Sequence, residues 1–341
     1  MPNNYSNFTQ FGIKNNVERY AYVGWQIFVV ICSLLGDTTI LVASIKYKAF
    51  KIHDVVVVVI QHVAACDLLN AVTNLLPAAI SAIRNSGGSS KMQNSVKFFI
   101  YYYLNTAGAA FIAAMTLGKL LVLKYPLRVG RWSKRRAHKI CAGIWLVTIY
   151  NPALHLLVDQ NDVTFDYRTY HCTYMYTKSV WDTLLPVTTI QVLFVPNVTI
   201  IVSTILIIRI ARRLVNGTRE KVRWQGITTV VLTASVYTLS ILPITVYFVA
   251  EPLVEKDPFA PGPFFIEFYR IATSVLNYNI LANFFVYSLT VDSFRSFLKK
   301  QFRNIISFLY NTVDFAGMDS IKYRLSVLVL IKRLLDNSTN K

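Results

Sequence analysis

The chain alternates seven long apolar runs with short polar connections. Each run can cross a hydrocarbon layer of about 30 Å, which takes roughly 20 helical residues. Lipid offers no partner to an unpaired backbone group, and no run alternates apolar and polar residues as a barrel strand does, so all seven are predicted to be helices. The runs are approximately Tyr22 to Ile45, Val55 to Ile83, Phe98 to Val122, Ile140 to Val158, Leu184 to Ile210, Ile227 to Ala250 and Ile271 to Leu289. The predicted fold class is an all-α membrane protein with a seven-transmembrane-helix bundle.

Positive charge lies on alternate connections between these runs. The first, third and fifth connections and the segment after Leu289 carry 26 of the 35 lysines and arginines, but only 6 of the 17 acidic residues. Basic connections stay on the cytoplasmic side of a membrane. We therefore expect an extracellular amino terminus (1–21), a membrane domain (22–290) and a cytoplasmic tail (291–341). The net charge of +18 is then explained by topology and by contact with anionic membrane lipid, and no nucleic-acid partner is expected.

The two ends of the chain support the same arrangement. Met1 to Arg19 is polar, so we expect no cleaved signal peptide and expect the first apolar run to direct insertion. Asn4 and Asn7 begin glycosylation triplets on the predicted outer side. Asp292 to Phe302 mixes aromatic and basic residues, which predicts a short amphipathic eighth helix at the membrane surface. Ser320 to Leu335 has a similar mixture and is either a further surface helix or an apolar tail.

Single residues inside and beside the runs form an ordered series. In chain order the series is Asp67 within Ala65-Cys66-Asp67-Leu68-Leu69, Lys124-Tyr125-Pro126-Leu127 as a second inner loop, Trp145, Pro196, Pro243, Asn283-Phe284-Phe285-Val286-Tyr287, and Phe294-Arg295. At this spacing the series resembles the rhodopsin-like (class A) family of G protein-coupled receptors, over roughly Trp25 to Phe302. Prolines inside the runs, Pro77 and Pro152 among them, are expected to bend their helices and open space between them.

The resemblance implies a plasma-membrane receptor that binds an extracellular ligand and acts on a heterotrimeric G protein. The sequence contains no phosphate loop, nucleophile motif or metal-binding cluster, so no enzymatic activity is expected. Two other interpretations stay open. One is a pseudo-receptor of the same fold that does not couple, and the other is an ion channel or transporter that uses Asp37 and Asp67 as an ion path.

The resemblance also implies a ligand pocket in the outer half of the bundle. Its wall would comprise Tyr101, Tyr102, Asn105, Thr188, Tyr247, Phe248, Tyr269, Thr273 and Asn277. Aromatic rings with a few polar groups suit a concave site, although Tyr101 and Tyr102 also suit an aromatic belt at the membrane interface. Amine receptors have an aspartate where this chain has Tyr101, and opsins have a lysine where it has Asn277. A peptide or a chemosensory small molecule is therefore the expected ligand class.

Two acids lie at membrane depth, where ionisable groups are costly and usually functional. The resemblance implies a sodium ion at Asp67, with Asn279 and Asn283 nearby and Tyr287 in the same switch motif. Asp37 replaces the asparagine that the family usually carries there, so two acids are expected close together. They would share a proton or recruit a cation. The alternative is a purely structural polar network, and no other cofactor is expected.

The inner face departs from the family pattern. The resemblance implies that Lys119, Pro126 and Arg223 face a G protein, but Gly118-Lys119-Leu120 replaces the usual acid-arginine-aromatic triplet. Without the acid and the planar guanidinium, the resting state should be held less firmly, or coupling should be weaker. Phe284 replaces a proline, Ile241 replaces a tryptophan, and Asn94 replaces the cysteine that would pair with Cys172.

Overall fold

The structure is a computed structural model, and it describes residues 16–46, 54–84, 91–125, 132–150, 152–154, 163–166, 171–174, 180–214, 221–254 and 263–315. The helices are α1 (Asn16–Ile45), α2 (Asp54–Asn70), α3 (Leu76–Arg84), α4 (Lys91–Lys124), α5 (Lys134–Thr148), α6 (Val180–Leu214), α7 (Lys221–Val254), α8 (Pro263–Thr290) and α9 (Asp292–Phe315). A π-helical segment, Ala71–Leu75, joins α2 to α3, and two strands, β1 (Val163–Asp166) and β2 (His171–Tyr174), lie between α5 and α6.

Most helices of the bundle are longer than the apolar runs that predicted them. The third run predicted Phe98 to Val122, whereas α4 extends over Lys91–Lys124. Hydropathy detects only the lipid-facing part, and the helix continues into its polar flanks because each further residue adds one backbone hydrogen bond. By length and composition alone, five described segments can cross a membrane: Arg19–Ile45, Val55–Arg84, Met92–Lys124, Phe194–Arg212 and Gly226–Tyr247. The fourth run overlaps α5, which ends at Thr148, and the seventh run lies within α8, which carries three asparagines.

The second transmembrane segment contains the clearest local irregularity. Pro77 has no backbone N–H and its ring clashes with the carbonyl four residues earlier, so a regular α-helix cannot pass through this position. The chain widens into a π-helical segment over Ala71–Leu75 immediately before it, and the helix then resumes as α3. The expected distortion at Pro77 is therefore a π segment, a type of irregularity that is frequent at functional sites.

Helix α4 is the central element of the bundle. It packs against α2, α5, α6 and α7, and the hairpin of β1 and β2 lies against it as well. The strands pair antiparallel, from Val163 opposite Tyr174 to Asp166 opposite His171. This small sheet is an addition to the predicted all-α fold, because its four-residue strands sit in a polar loop where no hydrophobic alternation announces them.

Helices α2 and α5 are joined by a chain of ring contacts. The Trp145 indole Nε1 donates to His62 Nδ1 at 3.1 Å, and His62 Nε2 lies 3.5 Å from His138 Nδ1. Because an indole nitrogen only donates, His62 Nδ1 must act as the acceptor. The His62 ring also stacks on Phe111 of α4, with centroids 5.5 Å apart, so this cluster links three helices.

The segment after Val291 forms a separate unit. The predicted eighth helix extends from Asp292 to Phe315, so it is 24 residues long and continues past Phe302, where the short prediction ended. Arg295 pairs with Asp292 at 3.5 Å within its first turn. Phe302, Ile305 and Phe308 recur on one face and are more than half exposed, as in a helix that lies on lipid. The alternative structures for Ser320 to Leu335 lie outside the described residues.

A close contact between α1 and α8 sets the spacing of these helices. A Cβ atom added at Gly36 would lie 3.0 Å from Phe284 Cβ and 3.1 Å from its Cγ. Phe284 stands where the family that the sequence resembles has a proline. Gly36 on α1 leaves room for its larger ring. The Cβ of Phe284 is fixed to the backbone of α8, and the contact can be relieved only by moving the helices apart.

We expect Gly36→Ala to lower the melting temperature of the detergent-purified protein, at a cost of about 1–3 kcal/mol typical of overpacking. Gly24→Ala on the same helix is the matched control, because a Cβ added there meets no atom within 4 Å. That control should be neutral or slightly stabilising, since alanine favours a helix by about 1 kcal/mol over glycine. Equal melting temperatures for the two variants would contradict the proposed close packing.

Candidate functional site

A cavity enters the bundle and encloses about 840 Å³, including its open mouth. Its wall comes from α2, α4, α7 and α8. The lining residues are Asp67, Asn70, Tyr101, Tyr102, Leu104, Asn105, Thr106, Gly108, Ala109, Tyr237, Ile241, Ile244, Tyr269, Thr273, Leu276, Asn279 and Ile280. Aromatic rings and aliphatic side chains with a few polar groups are typical of a small-molecule site.

Five of the nine predicted ligand-binding residues lie in this wall, namely Tyr101, Tyr102, Asn105, Tyr269 and Thr273. Two others lie behind it. Tyr247 is buried and packs on Tyr269 with ring centroids 4.7 Å apart, so it supports the wall from outside. Asn277 is buried, and its amide nitrogen has no hydrogen-bond partner among the described residues. The side chains of Thr188 and Phe248 lie outside the description.

The polar groups of the outer wall are oriented by their own helices. Asn105 Nδ2 donates to the carbonyl of Tyr101 at 2.8 Å, and Thr273 Oγ1 donates to the carbonyl of Tyr269 at 2.8 Å. Each side chain therefore donates one hydrogen bond to a backbone carbonyl of its own helix. The amide oxygen of Asn105 and the lone pairs of Thr273 remain as acceptors. These two side chains can therefore accept hydrogen bonds from a ligand.

At the base of the cavity a hydrogen bond joins α2 to α8. Asn283 Nδ2 donates to Asp67 Oδ2 at 2.7 Å, and both residues are buried. Asn279 is buried one turn above Asn283 and lines the cavity beside Asp67. The predicted ion and switch residues Asp67, Asn279 and Asn283 therefore meet in one place.

Asp37 on α1 belongs to the same polar region. Its Oδ2 accepts from Ser33 Oγ at 2.5 Å, while its Oδ1 has no hydrogen-bond partner among the described residues. Asp37 is only 1% exposed, and the charge of Asp67 acts on it. Two buried acids that interact, one of them with an unpaired oxygen, suit a small monovalent cation, which would offset their charge. Among the described residues no group of three or more His, Cys, Asp or Glu side chains is placed to hold a metal ion.

The inner ends of α7 and α8 are fastened together. Thr229 Oγ1 donates to Thr290 Oγ1 at 2.8 Å. Tyr287 is fully buried and lies about one turn before Thr290 on α8. The last predicted switch residue therefore lies on α8 close to its contact with α7.

The predicted G protein-facing residues are described only in part. Lys119 is 6% exposed and lies in the last turns of α4. A Cβ atom added at the neighbouring Gly118 meets no atom within 4 Å, so an acid at that position would find room. Pro126, Asn4, Asn7 and the side chain of Arg223 lie outside the described residues.

Several site residues were missed by sequence reasoning. On α2 and the π segment, Asn70 and Asn74 are buried, and Asn74 Nδ2 donates to Asn70 Oδ1 at 2.6 Å. They follow Asp67 by three and seven residues, which places all three on one helix face. That spacing of polar residues within an apolar run was a signal that could have revealed them. Tyr237, by contrast, carries no such signal among the aliphatic residues of α7.

We expect Asp37→Asn to raise the melting temperature of the purified protein by several degrees. Asparagine keeps an oxygen that accepts from Ser33, and it removes one of two neighbouring acids. It also replaces the unpaired carboxylate oxygen, and a buried polar atom without a partner costs about 1–3 kcal/mol. Asp292→Asn is the matched control, because that carboxylate is half exposed and should leave the melting temperature unchanged. A lower melting temperature for Asp37→Asn would show that this acid is required where it stands.

Comparison with known proteins agrees with this geometry. The chain is similar to the annetocin receptor of Eisenia fetida, with 20% identity over 154 residues, which covers 45% of this chain and 35% of that receptor. The chain thus spans about a third of the length of this relative. Residues 37–287 match the family described as "7 transmembrane receptor (rhodopsin family)". Because this match covers most of the chain, the protein is a multi-pass membrane protein that belongs to the rhodopsin family of seven-transmembrane receptors.

Proposed function

We propose that this protein is a plasma-membrane receptor that couples an extracellular ligand to a cytoplasmic G protein. The observation that carries the proposal is the cavity. Its aromatic part includes Tyr269 and Thr273 of α8, and Asp67 at its base accepts a hydrogen bond from Asn283 of the same helix. A ligand bound in this cavity would contact α8, and the effect of binding could pass along that helix to Asn283 and Tyr287. The amino terminus would be extracellular, with glycosylation at Asn4 and Asn7.

Signalling requires two arrangements of the bundle that a ligand binds with different affinity. The contact between α7 and α8 from Thr229 to Thr290 belongs to the closed arrangement in this proposal. An active state would open a cleft at the inner end by moving α7 away from α8, with Pro243 as the point of bending. A peptide or a chemosensory small molecule is the proposed ligand class.

The second candidate is a receptor-like protein that does not couple. Two observations favour it: the triplet Gly118-Lys119-Leu120 lacks the acid and the arginine of the family pattern, and Lys119 is buried rather than presented to the cytoplasm. In that case ligand binding or partnership with another receptor would be the whole function. The two candidates differ in one measurable step, which is nucleotide exchange on a G protein.

We expect cells expressing the protein with a set of G protein exchange reporters to show basal or ligand-induced exchange that falls several-fold in Lys119→Ala. Lys119 supplies the positive charge that the family places at this point, and alanine removes it. Lys124→Ala, an exposed lysine on the same helix, is the control and should keep most of the signal. If no reporter responds under any condition while the protein reaches the cell surface, the receptor does not couple and the second candidate is correct.

We expect Thr229→Val to raise basal exchange about two- to tenfold. Valine matches threonine in shape but removes the bond to Thr290, and a neutral hydrogen bond contributes about 0.5–1.5 kcal/mol to the closed arrangement. Thr228→Val is the matched control, because Thr228 is exposed on the neighbouring face of α7. Equal basal exchange in the two variants, with equal surface expression, would show that this bond does not restrain activation.

A further inference from the structure

The cavity is continuous from its aromatic mouth to a buried carboxylate. Tyr101 and Tyr269 line the outer part, and Asp67 and Asn279 line the base. Between them the wall is aliphatic, formed by Leu104, Ile241, Ile244 and Ile280. Seven residues of α4 between Tyr101 and Ala109 line this space, and at 1.5 Å per helical residue this stretch spans roughly 12 Å. The space is therefore a shaft about as deep as a small elongated molecule is long.

Ile241 explains why the shaft is open. This residue is 3% exposed, lies two positions before Pro243 and contributes to the aliphatic part of the wall. An indole at that position would occupy the space that leads from the tyrosines to Asp67. With isoleucine there, no side chain among the described residues divides the cavity into an upper and a lower compartment.

The charge of the shaft is one-sided. Among the lining residues that the structure describes, Asp67 is the only carboxylate and no lysine, arginine or histidine occurs. The outer wall presents acceptors at Asn105 and Thr273, and Asp37 adds a second acid behind Asp67. Attraction between opposite charges is several times stronger beside apolar walls than in water. A cation that reaches the base therefore gains more than a neutral group of the same size.

We propose that the ligand is an elongated molecule with an aromatic or aliphatic body and a primary ammonium or guanidinium group at one end, and that this cation binds Asp67 at the base of the shaft. The inference rests on the proposed function, since it takes the cavity to be the ligand site. It differs from the pairing of amines near the mouth of the pocket, which Tyr101 excludes. In this proposal the cationic end competes with any monovalent cation for Asp67.

The test uses the full-length purified protein in detergent, in sodium-free buffer, with 4-phenylbutylammonium as the probe. Its neutral isostere, 4-phenylbutan-1-ol, has the same body and nearly the same length. We expect the cationic probe to raise the melting temperature and to bind at least about tenfold more tightly than the alcohol, because only the ammonium carries a charge opposite to that of the Asp67 carboxylate. In Asp67→Asn the two probes should bind within about twofold of each other.

Two further variants test the path to the carboxylate. Ile241→Trp should weaken binding of both probes at least tenfold, since the indole fills the shaft. Leu239→Trp adds the same bulk at a position 67% exposed on α7, and it should bind both probes as the parent does. The melting transition without probe shows whether each variant is folded. If Ile241→Trp does not fold, the comparison of the two probes on the parent and on Asp67→Asn decides alone.

A cation preference that survives Asp67→Asn would place the charge elsewhere and overturn the inference, and so would equal binding of the two probes to the parent. Unchanged binding in a folded Ile241→Trp would show that the shaft is not the route. These readouts are independent of coupling. Cation-selective binding without nucleotide exchange would refute the proposed G protein coupling and leave the ligand inference intact, whereas exchange without cation selectivity would do the reverse.

Discussion

The structure depends on how a carboxylate is kept inside a bundle that is solvated by lipid. An ionised group at this depth is costly unless it is paired or hydrogen-bonded, so the helices around Asp67 are held in one arrangement by its requirements. Asn283 supplies the hydrogen bond from α8, and Asn279 brings a second amide to the same level. The wide turn of the π segment begins four residues after Asp67, next to the asparagines that extend the polar face. A buried polar contact thus joins α2 directly to α8.

Two of the residues that depart from the family pattern each contact a neighbouring residue that accommodates them. Phe284, in the position of a proline, is larger than the residue it replaces, and Gly36 on α1 provides the space that its ring occupies. Asp37 stands where an asparagine is usual, and Ser33 one turn earlier donates to it. Ile241 has no such compensating neighbour, and the volume that a tryptophan would fill remains as part of the cavity. The first two changes preserve packing, while the third changes what the bundle can hold.

What the sequence could predict depends on whether a feature is encoded in a local pattern or in contacts between distant residues. Apolar runs and charge asymmetry predicted the membrane bundle, since both reflect the solvent and need no tertiary information. Asp67, Asn279 and Asn283 were expected together because three motif positions located them. The ends of the helices were not predictable, since α4 and α9 continue into polar sequence that hydropathy does not detect. The pairing of β1 with β2 and the place of Tyr237 in the wall depend on contacts with α4 or across the cavity, and local pattern does not encode such contacts.

The connection between ligand and response is a matter of shared helices. Tyr269, Thr273 and Asn279 of the cavity wall lie on α8, and the same helix carries Asn283, Tyr287 and Thr290 toward its inner end. A ligand shifts a two-state equilibrium only through contacts that differ between the states. Asp67 offers such a contact, because any group that binds its carboxylate competes with or reinforces the bond from Asn283. In the proposed receptor, a change there would act on the helix whose far end is joined to α7 through Thr290 and Thr229, so occupancy at the base of the cavity and closure of that end would be coupled reciprocally.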